Sequence, residues 1–212
     1  MQVYLFLSQM KNVFLLFWLL ILSSTVLAQS FGAQLALGAN FSQVDGDQLG
    51  GYNKLGANVG VQINREINDI WQAAFEIRYS MKGAKKVIDP DAPPTFSLKL
   101  NYQYIEVPLL VKYTRFDKVT VYGGPSVGMN IVSKREENGI ESEVDELDFL
   151  EFGLNLGGTY HLTEKIGIDL RHSYSFLSVT DNSVVSLGPT WFNRTGWFNR
   201  LFTAGIVYKL DR

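Results

Sequence analysis

Residues 101–113, with the sequence NYQYIEVPLLVKY, constrain the fold more than any other segment of the chain. From Ile105 onward, apolar side chains occupy every second position, and the intervening positions include Glu106 and Lys112. A period of two residues indicates a β-strand with one apolar and one polar face. A strand buried on both faces in a water-soluble core would not alternate in this way. The pattern therefore predicts a strand whose apolar face contacts lipid and whose charged face lines the inside of a small barrel.

The same alternation recurs in eight segments: 31–41, 55–63, 75–82, 98–113, 121–131, 151–160, 166–176 and 202–210. Most are long enough to cross a bilayer, because a transmembrane strand needs about 9–11 residues. Three short connections separate them at 65–70, 114–118 and 162–165. Four long connections lie at 42–53, 83–97, 133–146 and 177–200. The predicted fold is all-β, an eight-stranded antiparallel up-and-down transmembrane β-barrel with its short turns in the periplasm.

A soluble eight-stranded barrel of the lipocalin type is the main alternative at this length. Such a barrel places its apolar side chains inside and its polar side chains in water. Here the polar positions include many glycines, such as Gly56, Gly60 and Gly124, whereas the apolar set is bulky on all eight strands. Small side chains fit a narrow lumen and bulky ones fit a lipid-facing surface, so the pattern favours the membrane barrel.

The first 28 residues have the features of a secretory signal peptide. Lys11 precedes an apolar run at 13–22, and Val26 and Ala28 occupy the −3 and −1 positions of a cleavage site. An uncleaved anchor is the alternative, but this run is shorter than the roughly 20 residues of a membrane-spanning helix. The predicted organisation is a signal peptide at 1–28 and an outer-membrane barrel domain at 29–212, exported to the cell outer membrane.

Composition and spacing give no indication of catalysis or of nucleic-acid binding. The formal net charge is −2, and removing Lys11 with the signal peptide makes it −3, so there is no basic footprint for nucleic acid. The chain contains no cysteine. His161 and His172 have no Ser or Asp at a spacing typical of a catalytic triad. We therefore predict that the chain is not an enzyme and has no cofactor or metal site.

Charges of both signs fall on the predicted lumen face. They are Glu76, Arg78, Glu106, Lys112, Glu151, Asp169 and Arg171. Ions removed from bulk water persist only when they are paired and hydrogen-bonded. An eight-stranded barrel is just wide enough for side chains to fill it. We interpret these residues as an ion-pair network that plugs the lumen, and a lined pore is the alternative.

The segment 98–113 also carries two local expectations. The first is that Leu98, Leu100, Tyr102 and Tyr104 face outward and that the alternation changes phase at residues 104–105. Tyr102 would then belong to a girdle of aromatic residues at the membrane interface. The predicted girdle residues are Trp71, Tyr113, Phe116, Tyr160 and Tyr208 near the short turns, and Tyr79, Tyr102, Phe149, Phe176 and Phe202 near the long loops.

The second expectation concerns Pro108 and Pro125, which have no N–H to donate to a ladder in a closed barrel. If the turn at 114–118 is centred on Phe116, Pro108 lies opposite Gly124 and beside Pro125. We therefore predict a local bulge or gap in this ladder.

Residues 104–113, YIEVPLLVKY, and residues 121–128, VYGGPSVG, together resemble the PorT-like outer-membrane β-barrel family. Members of that family carry a similar strand and a following Gly-Pro strand. The resemblance covers essentially the whole chain after the signal peptide and implies an eight-stranded outer-membrane barrel in a Gram-negative envelope. The family takes its name from a member linked to protein secretion, and the resemblance implies no particular activity for this chain.

The last predicted strand resembles the signal that barrel-assembly machinery reads. Thr203, Gly205, Tyr208 and Leu210 match a pattern of polar, glycine and apolar positions, although the chain ends in Asp211-Arg212 instead of an aromatic residue. We therefore predict the barrel-assembly machinery as a partner during biogenesis.

Two long connections carry distinctive side chains. The acidic residues of 133–148 are Glu136, Glu137, Glu141, Glu143, Asp145, Glu146 and Asp148. We interpret them as a solvated face, and binding of divalent cations in the lipopolysaccharide layer is the alternative. The connection 177–200 repeats the unit Trp-Phe-Asn-Arg, with Trp191, Arg194, Trp197 and Arg200 as candidate partner-binding anchors. The alternative is an aromatic hairpin that rests on the lipid headgroups.

The sequence thus predicts a small outer-membrane barrel with a plugged polar lumen and a structural or binding role through its long extracellular loops. The alternative is a narrow pore or an accessory component of outer-membrane transport or secretion. The expected partners are outer-membrane lipid and lipopolysaccharide, the assembly machinery, and a protein at the extracellular loops.

Overall fold

The computed structural model describes residues 31–47, 49–86, 97–143, 147–180 and 196–210. The predicted signal peptide and the candidate anchors Trp191 and Arg194 lie outside these ranges. The strands are β1 Phe31–Asp45, β2 Lys54–Asn68, β3 Trp71–Lys82, β4 Leu98–Tyr113, β5 Val119–Glu137, β6 Ile140–Glu143, β7 Leu150–His161, β8 Ile166–Ser175 and β9 Phe198–Lys209. Among the described residues, no helix has the length and apolarity needed to cross a membrane.

Eight of these strands form a closed antiparallel barrel. They pair in the order β1, β2, β3, β4, β5, β7, β8 and β9, and β9 pairs with β1 to close the ring. The short strand β6 pairs with β5 and lies outside the ring. Closure leaves no strand of the wall with an open edge, which a sheet in lipid requires. The predicted eight-stranded antiparallel barrel is confirmed.

The two faces of the wall are divided as the alternation predicts. On β3, for example, Glu76 and Arg78 are only 1% and 2% exposed, whereas Phe75 and Ile77 are 42% and 50% exposed. Apolar side chains face outward in this way on all eight strands of the barrel. A surface of this kind is stable in lipid and unfavourable in water, so the orientation is that of a membrane barrel and not of a lipocalin.

The connections divide between the two ends of the barrel. The links between β2 and β3, β4 and β5, and β7 and β8 are short, and we call this the short-turn end. The links between the other neighbouring strands lie at the opposite end, which we call the long-loop end. At the short-turn end, the rings of Trp71 and Tyr113 have their centroids 4.9 Å apart, and those of Tyr113 and Phe116 are 5.7 Å apart.

The predicted outward orientation of Leu100, Tyr102 and Tyr104 is wrong. Tyr102 and Tyr104 are both 0% exposed, and β4 alternates from Leu100 onward without a change of phase. The lumen near the long-loop end contains an apolar layer in which these three residues pack with Val44 and Ala84. An apolar side chain on the inner face gives the same sequence pattern as one facing lipid, so the alternation alone misassigned this end of the strand.

The irregularity in this ladder lies on β5. Gln103 is opposite Val132 and Tyr104 is opposite Asn130, so Ile131 has no partner on β4 and forms a bulge.

The predicted gap at the prolines is confirmed, but its register is wrong. Pro108 lies opposite Ser126, not Gly124, because the turn between β4 and β5 is centred on Asp117. The ladder then omits Leu109 and Leu110 and resumes at Val111. The ladder between β3 and β4 is also interrupted at Pro108. Phe75 pairs with Leu109 and Arg78 pairs with Glu106, and no pair lies between these two. Each proline therefore accounts for one gap: Pro108 lies in the gap toward β3, and Pro125 lies opposite Leu109 in the gap between β4 and β5.

Part of the predicted acidic loop is a regular hairpin. β5 continues to Glu137, and β6 returns alongside it after the turn residues Asn138 and Gly139, whose φ angles are 50° and 85°. Asn-Gly is the favoured sequence for a two-residue hairpin turn with left-handed φ at both positions. The long connection predicted at 133–146 therefore contains the end of β5 and the whole of β6.

Candidate functional site

The lumen is crossed by an ion pair between Arg171 on β8 and Glu76 on β3. Arg171 Nη2 donates to Glu76 Oε2 at 2.9 Å, and Nη1 donates to Oε1 at 3.3 Å. These strands are four positions apart in a ring of eight, so the pair spans the full diameter of the barrel. Gln62 Nε2 donates to the same carboxylate at 2.9 Å. Two donors aligned with two acceptors give the strongest arrangement of such a pair.

A second cation, Arg78 on β3, also reaches across the lumen beside this pair. Arg78 Nε donates to Glu106 Oε2 at 2.6 Å. Its Nη2 donates to Asn155 Oδ1 at 3.1 Å on β7 and to Ser173 Oγ at 3.3 Å on β8. Arg78 therefore joins neighbouring and opposite parts of the wall.

Lys82 is a member of the network that the sequence prediction missed. Its Nζ contacts Glu106 and donates to Glu151 Oε1 at 2.8 Å. Glu151 also accepts hydrogen bonds from Ser175 Oγ at 2.6 Å and from Asn199 Nδ2 at 2.9 Å. Lys82 has the same inward phase on β3 as Arg78, and this phase is the signal that could have identified it.

Asp169 is held by hydroxyl groups toward the short-turn end. Tyr122 OH donates to both of its carboxylate oxygens at 2.8 Å, and Thr159 Oγ1 donates to Oδ1 at 2.7 Å. Arg171 Nε donates to Tyr122 OH at 3.0 Å and lies 4.0 Å from Asp169 Oδ2. The tyrosine thus connects the two charged groups.

Lys112 differs from the other predicted charges, because its nearest partners are amide oxygens. Its Nζ donates to Gln62 Oε1 at 2.7 Å and to Asn64 Oδ1 at 3.0 Å. It makes no salt bridge with the carboxylates of the described residues. The structure therefore brings six of the seven predicted residues into contact with charged or hydroxyl partners and leaves Lys112 at the edge of the cluster.

Little space remains around these side chains. Arg78, Lys82, Lys112 and Arg171 share the lumen with four buried carboxylates, and a fifth buried cation, Lys54, donates from Nζ to the carbonyl oxygen of Leu55 at 3.0 Å. Beside the Arg171–Glu76 pair, a cavity of about 10 Å³ is lined by small residues such as Ala36, Gly38 and Gly205. A cavity of this size holds about one water molecule.

Two of the four candidate anchors, Trp197 and Arg200, belong to the described residues and lie at the long-loop end. Trp197 packs against the apolar layer inside the barrel, and its backbone N–H donates to Ser178 Oγ at 3.2 Å. The Arg200 guanidinium contacts the Asp45 carboxylate and lies 5.3 Å from the centre of the Tyr174 ring. Both side chains therefore make contacts within this protein, and both stay partly exposed.

The acidic residues of the hairpin do not converge on a common point. Glu136 contacts Lys99 at 3.1 Å and Glu141 contacts Lys134 at 3.0 Å. Within the described parts of the chain, no group of His, Cys, Asp or Glu is arranged to hold a metal ion. The two histidines contact different residues. His161 Nε2 is 3.0 Å from Thr120 Oγ1, and the ring of His172 packs against Phe202.

A match to a known protein family agrees with this fold. The family model described as outer membrane protein beta-barrel domain matches residues 27–181, which is more than half of the chain. The chain belongs to this family. As a member of the outer membrane protein β-barrel family, it is a small outer-membrane barrel and is located in the cell outer membrane. No curated protein matches the chain in sequence.

Solved structures show the same fold. The attachment invasion locus protein Ail of Yersinia pestis is 14% identical, with a TM-score of 0.50, over 84% of this chain and 98% of Ail. Neisserial surface protein A is 17% identical, with a TM-score of 0.51, over 85% of this chain and 97% of that protein. Ail was also solved with the heparin analogue sucrose octasulfate, at 14% identity and a TM-score of 0.50, over 85% of this chain and 99% of that one. At these identities the likeness shows the fold alone.

Proposed function

We propose that this member of the outer membrane protein β-barrel family is a closed, non-conducting scaffold that binds a partner at its long-loop end. The observation that carries the closed lumen is the Arg171–Glu76 pair, which joins opposite strands through side chains that are 4% and 1% exposed. An ion that crossed the lumen would have to displace this pair and the neighbouring Arg78–Glu106 contact. Separating buried charges without a replacement partner is strongly unfavourable.

We infer the environment of the barrel from its outer surface and from the division of its connections between the two ends. Its apolar outer band contacts outer-membrane lipid, and the long-loop end lies in the lipopolysaccharide layer, facing the exterior as in other barrels with short periplasmic turns. We infer that residues 1–28 are removed on export and that the barrel-assembly machinery reads the last strand around Gly205 and Tyr208. The resemblance of residues 104–113 to the PorT-like family supports the same location.

The proposal includes no reaction catalysed by the chain. His161 is hydrogen-bonded to Thr120, and His172 packs on Phe202 at the outer surface. Neither arrangement combines a nucleophile, a base and an orienting carboxylate.

Single-channel recording in a planar bilayer tests the closed lumen. The protein is purified from outer membranes, and a shift in gel mobility on heating reports that its barrel is folded. We expect a heat-modifiable protein that gives no steady conductance. Steady conductance that changes when Arg78→Ala is introduced would replace this proposal with the narrow-pore alternative.

A double variant tests whether removal of the pair that spans the lumen opens a conducting path. Arg171→Ala with Glu76→Ala removes both members of the pair that spans the lumen while keeping the net charge. We expect this variant to conduct measurably more than the parent protein. The control is Arg135→Ala with Glu137→Ala, which removes an ion pair on the hairpin outside the ring and should remain silent.

A further inference from the structure

A three-stranded sheet extends the barrel wall at the long-loop end. The last part of β5 pairs with β4 on one side, where Leu98 is opposite Glu137, and with β6 on the other, where Lys134 is opposite Glu143. The turn is tied to the start of β4, because Asn138 N donates to Ser97 O at 2.9 Å and Ser97 N donates to Asn138 Oδ1 at 3.0 Å. These two hydrogen bonds restrain the extension relative to the barrel wall.

The outer edge of this sheet is β6. Among the described strands, β6 pairs with β5 alone, and all four of its residues are exposed, with Ile140 at 75%. Residues that flank a two-residue turn exchange hydrogen bonds, and such pairs alternate along a hairpin. Ile140 and Ser142 consequently direct their backbone groups toward β5, whereas Glu141 and Glu143 direct theirs outward. Such an edge is a template for an additional strand.

The side chains of β6 define what that strand would carry. Glu141 and Glu143 share one face of the sheet, and Ile140 and Ser142 share the other. Residues directly opposite each other in an antiparallel pair interact, and opposite charges stabilise the pair. Glu141 contacts Lys134 through one carboxylate oxygen and is 54% exposed, so its other oxygen can accept from a further cation. The matching strand therefore carries Lys or Arg opposite the two glutamates and apolar or small residues between them.

The same register disfavours a second copy of this chain as the occupant. The outward backbone groups of one β6 would have to meet the outward groups of another, which places Glu141 and Glu143 opposite glutamates. Like charges directly opposite each other are destabilising. Charged side chains on an edge strand are a common way in which natural sheets avoid pairing edge to edge with a second copy.

We propose that the outer edge of β6 binds an extended segment of an external protein that has Lys or Arg at alternate positions, by adding it to the sheet as a further antiparallel strand. This inference rests on the proposed function only in placing the long-loop end outside the cell. It names the chemistry of the partner that the scaffold would bind.

Fluorescence anisotropy with a labelled synthetic peptide of sequence TKVKVKT tests the inference on the purified, heat-modifiable protein. We expect saturable binding, and we expect Glu141→Gln with Glu143→Gln to weaken it about tenfold through two lost opposite-charge pairs. Reversal of both charges, with Glu141→Lys and Glu143→Lys, should transfer binding to the peptide TEVEVET. Unchanged binding in these variants would overturn the inference.

Backbone pairing is tested separately from charge. A peptide N-methylated at alternate residues cannot donate to the edge, and Glu141→Pro removes one outward N–H while leaving the inward pairing of β6 intact. Both changes should abolish binding, and retained binding would exclude strand addition. The matched control is Glu164→Gln, which alters an exposed glutamate in the turn at the opposite end and should bind as the parent does.

Channel recording on the same sample separates the two proposals. A silent barrel that does not bind the peptide would overturn the inference about β6 and leave the closed scaffold standing. A conducting barrel that binds the peptide would overturn the closed scaffold and leave the binding edge standing.

Discussion

Arg171 and Glu76 form a two-point ion pair across the width of the barrel although they are 95 residues apart in the chain. The two side chains come from strands on opposite sides of the ring. The pair is enclosed by Gln62, Tyr122 and Arg78, so neither charge can turn to bulk water. The stability of the barrel and the closure of its lumen therefore depend on the same contact.

The first prediction concerns the energy of this pair. Arg171→Leu or Glu76→Leu alone should lower the free energy of unfolding by about 3–5 kcal/mol, because each leaves an uncompensated buried charge. The double variant should be more stable than the sum of the single effects implies. Urea unfolding in phospholipid vesicles measures the coupling as a double-mutant cycle.

The control for that cycle is the hairpin pair Lys134 and Glu141, whose side chains are 46% and 54% exposed. An exposed pair contributes about 0–1 kcal/mol. Equal coupling energies in the two cycles would show that the lumen pair is not insulated from water.

The second prediction concerns the seam that closes the barrel between β1 and β9. Gly38 lies opposite Gly205, and a Cβ on Gly205 would lie 2.5 Å from the carbonyl oxygen of Leu37. Gly205→Ala should therefore lower the free energy of unfolding by about 1–3 kcal/mol, because backbone must move to admit the methyl group. The midpoint of urea unfolding and the fraction of heat-modifiable protein measure the loss.

Gly50→Ala is the matched control, because no atom lies within 4 Å of the added methyl group. A loss of similar size at both glycines would show that the seam is not specially tight.

The third prediction contrasts two buried lysines. Lys82→Met leaves Glu106 and Glu151 without their shared ammonium group and should cost about 3–5 kcal/mol. Lys112→Met removes a charge whose partners are the amide oxygens of Gln62 and Asn64, so its cost should be smaller. The two urea-unfolding curves, measured in the same vesicles, decide the order. A larger loss at Lys112 would contradict the assigned network.

The fourth prediction concerns pH and Asp47, which follows β1 at the long-loop end. Burial raises the pKa of Asp47 from 3.8 to about 7, against the Leu49 N–H that donates to Oδ1 and with the Asp45 carboxylate adding to the rise. Because the folded pKa is the higher one, the folded state binds this proton more tightly. The stability from this group is complete below about pH 4 and is lost as the pH rises to about 7.

Asp47→Asn should flatten that decrease in the free energy of unfolding and should stabilise the protein above pH 7 by at most about 2 kcal/mol, given the partial exposure of the site. Unfolding midpoints at pH 4, 6 and 8 measure it. The control is Asp69→Asn in the exposed turn between β2 and β3, and a parent protein with no decrease between pH 4 and 7 would contradict the prediction.

The strands themselves could be predicted from residues such as Phe75 to Arg78, because inward and outward positions differ in kind along most of the wall. Glu76 and Arg78 face the lumen, while Phe75 and Ile77 face lipid. The gap at Pro108 was also predictable, because a missing N–H interrupts a ladder wherever the residue lies. Tyr102 and Tyr104 were misplaced, because the inner face near the long-loop end is apolar and the contrast between the faces disappears there.

The sequence by itself determined the alternation, the eight strands of the barrel wall, the division of short and long connections, and most charged residues of the lumen face. These properties are local, since the side-chain period of a strand depends only on its own pleat. The tertiary structure decided which charges meet, that Lys82 joins them while Lys112 binds amides, that Arg200 is held by Asp45, and that β6 lies at a sheet edge. These depend on the closure of the ring and on the register between strands, which bring together residues from distant parts of the chain.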